Sequence, residues 1–199
     1  STKLTSAQFE LLLKCIKDIQ TWITTQNTSN AHSIGRGDEF QTVVHDIENA
    51  LRYTIIYRLS IKALGKEFDS RISFAIATNA ELRELVSESM GEAFVLSGRG
   101  LKALKSERLV FHSDQHKLTQ QFDLLFKYLD RQLDELTSRQ CEVMLVMLRT
   151  NQELLISELA GKLDVATATA SKSLKASGWP LISELNKKFI NQVKELYDV

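Results

Sequence analysis

A single proline, Pro180, interrupts 199 residues, and only eight glycines accompany it. So little backbone punctuation points to long uninterrupted elements rather than an irregular, loop-rich chain. There are two cysteines, Cys15 and Cys141. Their separation matches no metal-binding spacing and dictates no disulfide. The plain reading is two buried thiols in a reducing, cytoplasmic setting. Net charge is absent too: 25 basic residues balance 25 acidic ones. That balance argues against a strongly basic nucleic-acid coat or a membrane-surface protein, though not against one local DNA-reading helix. No apolar run is long enough to span a bilayer, and no secretory leader is evident. Repeats, low-complexity tracts and polar linkers are missing as well, so any domain boundary lies in or beside a helix. What is present is an apolar fraction of 43 %, enough for a sizeable core in one large domain or two small ones.

The most informative stretch is Ile34-Gly35-Arg36-Gly37-Asp38-Glu39-Phe40-Gln41. Small residues and an acidic pair separate two β-compatible runs, 31–34 and 40–44, which predicts a tight hairpin with a carboxylate at its tip. A carboxylate held there suits a hard cation such as Mg²⁺ or Mn²⁺. The plainer alternative is that Asp38 and Glu39 solvate a turn. Arg36 beside them either binds phosphate or neutralises the turn.

Around this hairpin the pattern alternates between helix and strand. Thr5 and Gln8 fit a capping box, and Phe9, Leu12, Leu13, Ile16, Ile19 and Ile23 then repeat at helical spacing. A second helix is predicted over 46–64, with Gly65 closing it. Alternation of Ile72, Phe74 and Ile76 with small residues predicts a strand, followed by a helix over 91–104 and a short strand over 108–112. The economical architecture for 1–114 is an antiparallel sheet with helices on one face. From 115 onward only helical periodicity remains, so 115–136 is expected to be a helix connecting to a second, all-α domain over 137–199. The whole is an α+β chain.

Within 137–199 the spacing is that of a helix-turn-helix. Leu159, Ala160, Leu163, Val165, Ala170 and Leu174 take the positions at which two such helices pack, and Ala160 is small where they cross. Asp164 stands in the turn where glycine is commonest, and Asp can visit the left-handed conformation required there. The outward face of the second helix carries Thr167, Thr169, Lys172, Ser173 and Lys175, short hydroxyls and lysines suited to phosphate and base-edge contacts with double-stranded DNA. The alternative is a plain helical hairpin whose polar face is only solvated. Eight basic residues face seven acidic ones from 137 to 199, so tight binding by a monomer is not expected and a homodimer would be needed. Leu181, Leu185, Phe189, Ile190 and Val193 of the last helix either provide that dimer contact or close the small domain. His32, His45, His112 and His116 lack regular ligand spacing.

Two segments, Gly37-Asp38-Glu39-Phe40-Gln41 and Gly91-Glu92-Ala93-Phe94-Val95-Leu96-Ser97-Gly98-Arg99, together with Ser1-Thr2-Lys3-Leu4, resemble the SatD family of small bacterial proteins. That family is similar to the ferredoxin-like palm of class III nucleotide cyclases and, more remotely, to GGDEF domains. Many members are similar in carrying a C-terminal helix-turn-helix. The resemblance implies a palm over 1–114 that lacks its first strand, because the strand with the second metal-binding aspartate would fall ahead of Ser1. It aligns Asp38 with the hairpin aspartate of cyclases and Arg99 with their phosphate-side arginine. Val95 stands where cyclases place an asparagine, which puts cyclase activity in doubt. The implied function is DNA-linked regulation with a degenerate cyclase-like sensor or dimerisation module. The alternative is a metal-dependent nucleotide-binding or nucleotide-processing enzyme using Asp38 and a nucleotide ligand.

Overall fold

The computed structural model describes residues 4–35, 37–81, 83, 85–150 and 154–198. The chain is α+β and mostly helical. It opens with α1 (Ser6–Gln26), whose capping box forms as the sequence predicts: Thr5 Oγ1 accepts from the Gln8 N–H at 3.3 Å, and the Thr5 N–H donates to Gln8 Oε1 at 2.8 Å. The hairpin follows, β1 (Ala31–Ile34) pairing antiparallel with β2 (Phe40–Val43) in the register Ile34 to Phe40. A 3-10 turn (Ile47–Asn49) leads into α2 (Ala50–Ala63). Then come β3 (Ile72–Ile76), the two-residue strands β4 (Ala80–Glu81) and β5 (Met90–Gly91), α3 (Glu92–Ala103) and β6 (Leu109–Ser113). The rest is helical: α4 (His116–Glu135), α5 (Ser138–Arg149), α6 (Ile156–Leu163), α7 (Thr167–Ala176) and α8 (Trp179–Tyr197).

The single antiparallel sheet expected over 1–114 is not what the described residues form. They form three separate two-stranded ladders, and the central one, β3 with β6, is parallel. The connection explains this: β3 returns to β6 through α3, and a helical crossover is what joins parallel neighbours. Helices also cover both faces of the pair rather than one. Gly100 of α3 lies against Ser73 and His112 on one face. On the other, Phe74 and Phe111 join Phe122 and Phe126 of α4 and Phe189 of α8 in an aromatic cluster with centroids 4.8–6.1 Å apart. Alternation along a strand sends successive side chains to opposite faces, so Ser73 and Phe74 serve different layers.

The expected connection at 115–136 is α4, but the core does not part there. One buried cluster runs from Leu12 of α1 through Leu51 and Ile55 of α2 and Phe111 of β6 to Phe189 and Val193 of α8. Most of the α8 stripe is thus used inside the chain. A smaller cluster of Val143, Leu159, Ala160, Ala170 and Leu174 belongs to α5, α6 and α7. Cys141 is buried and Cys15 half-buried, both as free thiols, and burial pushes each up to about 11. Among the described residues no helix is long and apolar enough to cross a membrane.

Candidate functional site

The α6–α7 pair is built by local chemistry. The Leu155 N–H donates to Glu158 Oε2 at 2.8 Å, closing the start of α6. At its other end Asp164 is left-handed, with φ 51° and ψ 52°. The Val165 N–H reaches back to the Ala160 carbonyl at 3.1 Å, and the Asp164 N–H to that of Gly161 at 3.3 Å. This reversal satisfies carbonyls that the end of a helix otherwise leaves open. Arg139 of α5 takes another, donating to the Leu163 carbonyl at 3.3 Å. Ala160 and Ala170 are both buried, so the two helices approach closely where the sequence placed small residues.

The turn hands the chain to α7 with Ala166 in extended conformation and no side-chain cap. The N–H groups of Thr167 and Ala168 therefore have no partner within the helix. Ala170, Leu174 and Ser177 form the buried stripe of α7. At about 100° per residue, Lys172 points away from that stripe, with Ala168, Lys175 and Ala176 beside it. Thr167, Thr169, Lys172 and Lys175 are exposed, as expected, whereas Ser173 is half-buried on the flank. Ala168, Ser171 and Ala176 complete the outward face and were missed. The same helical spacing contained them, but they carry no charge to attract notice. Small residues between lysines allow a flat surface to come close.

Asp38 sits exposed in the hairpin turn beside Gly37, whose φ is 79°. It lines a groove of about 410 Å³ with Leu4, Ser6, Phe9 and Glu10 from the start of α1. Arg36 lies outside the described residues. Arg99 is exposed on α3, a helix that packs on β3 and β6. Among the described residues no hydrogen bond or ion pair brings Arg99 to Asp38, and Arg99 does not line the Asp38 groove. No group of three or more His, Cys, Asp or Glu among them is arranged to hold a metal ion.

Three polar centres escaped the sequence reading. Arg58 of α2, fully buried, donates from Nε to Asp69 Oδ1 at 3.3 Å and from Nη1 to Asp130 Oδ1, and its Nη2 lies 3.5 Å from Asp134 Oδ1. Arg108 adds contacts to Asp69 and Asp134 at 3.4 and 3.5 Å. At the carboxyl ends of β3 and β6, Asp114 accepts from the Thr78 N–H at 2.7 Å, from Thr78 Oγ1 at 2.9 Å, and from the Tyr197 hydroxyl of α8. Partial burial pushes the Asp114 carboxyl up, but the bonds from Tyr197 and Thr78 outweigh it and hold it below its ordinary value. Under the hairpin, His32 is hydrogen-bonded through Nε2 to Thr24 Oγ1 at 3.0 Å and through Nδ1 to Thr42 Oγ1 at 3.1 Å. Burial lowers its pKa, favouring the neutral ring. The Arg58 and Asp114 centres join distant segments, whose pairing is not encoded in local spacing, whereas His32 and Thr42 face each other across the predicted hairpin.

No family model, curated protein or solved structure matches this chain. The functional reading therefore rests on the α7 surface, the Asp38 groove and the contacts between them and the core.

Proposed function

We propose that the chain is a SatD-like DNA-binding regulatory protein. In this reading α6, the turn at Asp164 and α7 are a helix-turn-helix that presents α7 to the major groove of double-stranded DNA, and 1–114 is a cyclase-like sensor or dimerisation module. One observation carries it: a left-handed Asp164 and two buried alanines set α7 against α6, leaving an outward face of Thr169, Lys172 and Lys175 flanked by small residues. Lysines and the unpartnered N–H groups at the start of α7 suit phosphates, and the short hydroxyls suit base edges. Selection from a random duplex pool, run at low and at higher salt, tests it. A palindromic consensus is expected, with Lys172→Ala weakening binding about 5–10-fold and reducing the salt slope by about one phosphate. No enrichment at either salt would sink the reading.

One observation favours a second reading, a metal-dependent nucleotide-binding or nucleotide-processing enzyme. Asp38 and Glu10 share a groove at the N-terminal end of α1. One or two carboxylates are what a protein offers Mg²⁺ when substrate phosphates supply the remaining ligands, and a helix N-terminus suits those phosphates. Calorimetric titration of a nucleoside triphosphate in the presence of Mg²⁺ or Mn²⁺ decides it: binding by the native chain that Asp38→Asn abolishes is the expected result. Identical traces for the two proteins would end it.

A further inference from the structure

We infer that the groove between α4 and α8 is a homodimer interface, with a second copy of this chain as its occupant. The two helices run antiparallel along each other. The beginning of α4 and the end of α8 flank an open surface depression of about 530 Å³ lined by Lys117, Gln120, Gln121, Gln192 and Glu195. At the opposite end Gln132 of α4 donates to the Ser177 carbonyl, just before α8, at 3.3 Å. Between these anchors the groove carries large apolar side chains that the chain leaves in solvent: Leu124 is 62 % exposed, Tyr128 68 % and Leu181 74 %. They fall in line with the anchors by heptad spacing. Lys117, Leu124 and Arg131 recur every seven residues on α4, as do Leu181, Lys188 and Glu195 on α8. Seven residues are close to two helical turns, so each series tracks one side of its helix.

The charges choose the occupant. Counting from both anchors, Lys117 lies level with Glu195, Leu124 with Lys188, and Tyr128 and Arg131 with the stretch from Leu181 to Leu185, which contains Glu184. Arg131 pairs along α4 with Glu135 rather than across the groove. A two-fold axis running lengthwise along the groove lays α4 of one copy over α8 of the other at the same level. Lys117 then meets Glu195 and Arg131 meets Glu184, with Tyr128 over the leucines of the partner, and each contact is made twice. A purely basic or purely acidic partner would set like charges against part of this rim, and an anionic lipid surface would meet Glu184 and Glu195. The area is adequate. α4 has 20 residues, about 30 Å at ~1.5 Å per residue. Two helices about 9 Å apart present a strip roughly 20 Å wide, on the order of 600 Å² per copy, near the ~800 Å² a standard interface takes from each partner.

Sedimentation equilibrium of the full chain tests this independently of DNA. A dimer is expected, and Tyr128→Glu should raise its dissociation constant at least about 30-fold. Its circular dichroism and melting should be unchanged, because the side chain is outside the core. Arg131→Glu should weaken the dimer, and adding Glu184→Arg should restore it. Geometry is read by disulfide trapping: Leu124→Cys mixed with Lys188→Cys should link, and neither alone should. A monomer up to about 100 μM, or a dimer indifferent to Tyr128→Glu, overturns the interface. A link formed by Leu124→Cys alone overturns the lengthwise axis.

Discussion

Arg58 has no accessible surface and a permanent charge, and it keeps both because Asp69, Asp130 and Asp134 surround it. Removing the guanidinium leaves Asp69 and Asp130, both largely buried, without their closest cation, although Arg108 still reaches Asp69. Arg58→Met is therefore expected to cost about 3–5 kcal/mol in urea unfolding, and a loss within ~0.5 kcal/mol would show that the acids were not held by it. In sequence Arg58 is one polar residue in an apolar helix, and nothing marks it, since Asp130 lies 72 positions away. Gly100 is a different case. A Cβ there would come within 2.7 Å of His112 Nε2 and press on Ser73 Oγ. Gly100→Ala is expected to destabilise by about 1–3 kcal/mol, although alanine ordinarily favours a helix by up to ~1 kcal/mol. An alanine variant that melts higher would contradict the close packing of α3 on β3 and β6. Asp38 and Arg99, singled out together by resemblance, lie on the hairpin turn and on α3, and no hydrogen bond or ion pair among the described residues joins them.

Elements reveal how helices and strands were joined as well as where they lie. The alternation of Ile72, Phe74 and Ile76 predicts a strand correctly, but alternation reads the same whether a neighbour runs parallel or antiparallel. The helical crossover through α3 makes the β3–β6 pair parallel, and Tyr197 of α8 then meets its carboxyl end. That contact makes a pH-dependent tie. Asp114 has a folded-state pKa below its ordinary 3.8, so its contribution is complete above the ordinary carboxylate range and is lost as pH falls through the folded value. The stability difference between the native chain and Asp114→Asn should be greatest near neutrality and close as pH falls below the ordinary carboxylate value. A difference independent of pH would mean that the Asp114 carboxylate is not what holds α8. Amide exchange at the end of α8 should quicken in Asp114→Asn for the same reason.

At the scale of the whole molecule, the main core threads α1, α2, the β3–β6 pair, α4 and α8. The α6–α7 unit has its own small cluster and is attached through α5 and α8. In the proposed reading, α7 should feel whatever alters the packing of α8, including the inferred dimer groove on its outer side. Electrostatics make the combined prediction. If Lys172 and Lys175 each meet a phosphate, the slope of log affinity against log salt should be about −1.8 per copy and about −3.6 for a two-fold dimer. Anisotropy titrations across salt concentrations would measure it, and a slope near zero would remove α7 from the phosphate backbone.

Caps, apolar periodicity and turn residues were enough to place nearly every element. Thr5, Thr137 and Asp164 mark helix ends through contacts with neighbours a few positions away, and such contacts form wherever the chain goes. The parallel pairing of β3 with β6, the continuous core across α4, the burial of Arg58 and the contact of Tyr197 with Asp114 needed the folded chain. Each joins residues whose separation in sequence carries no period, and each depends on other segments to exclude water around it.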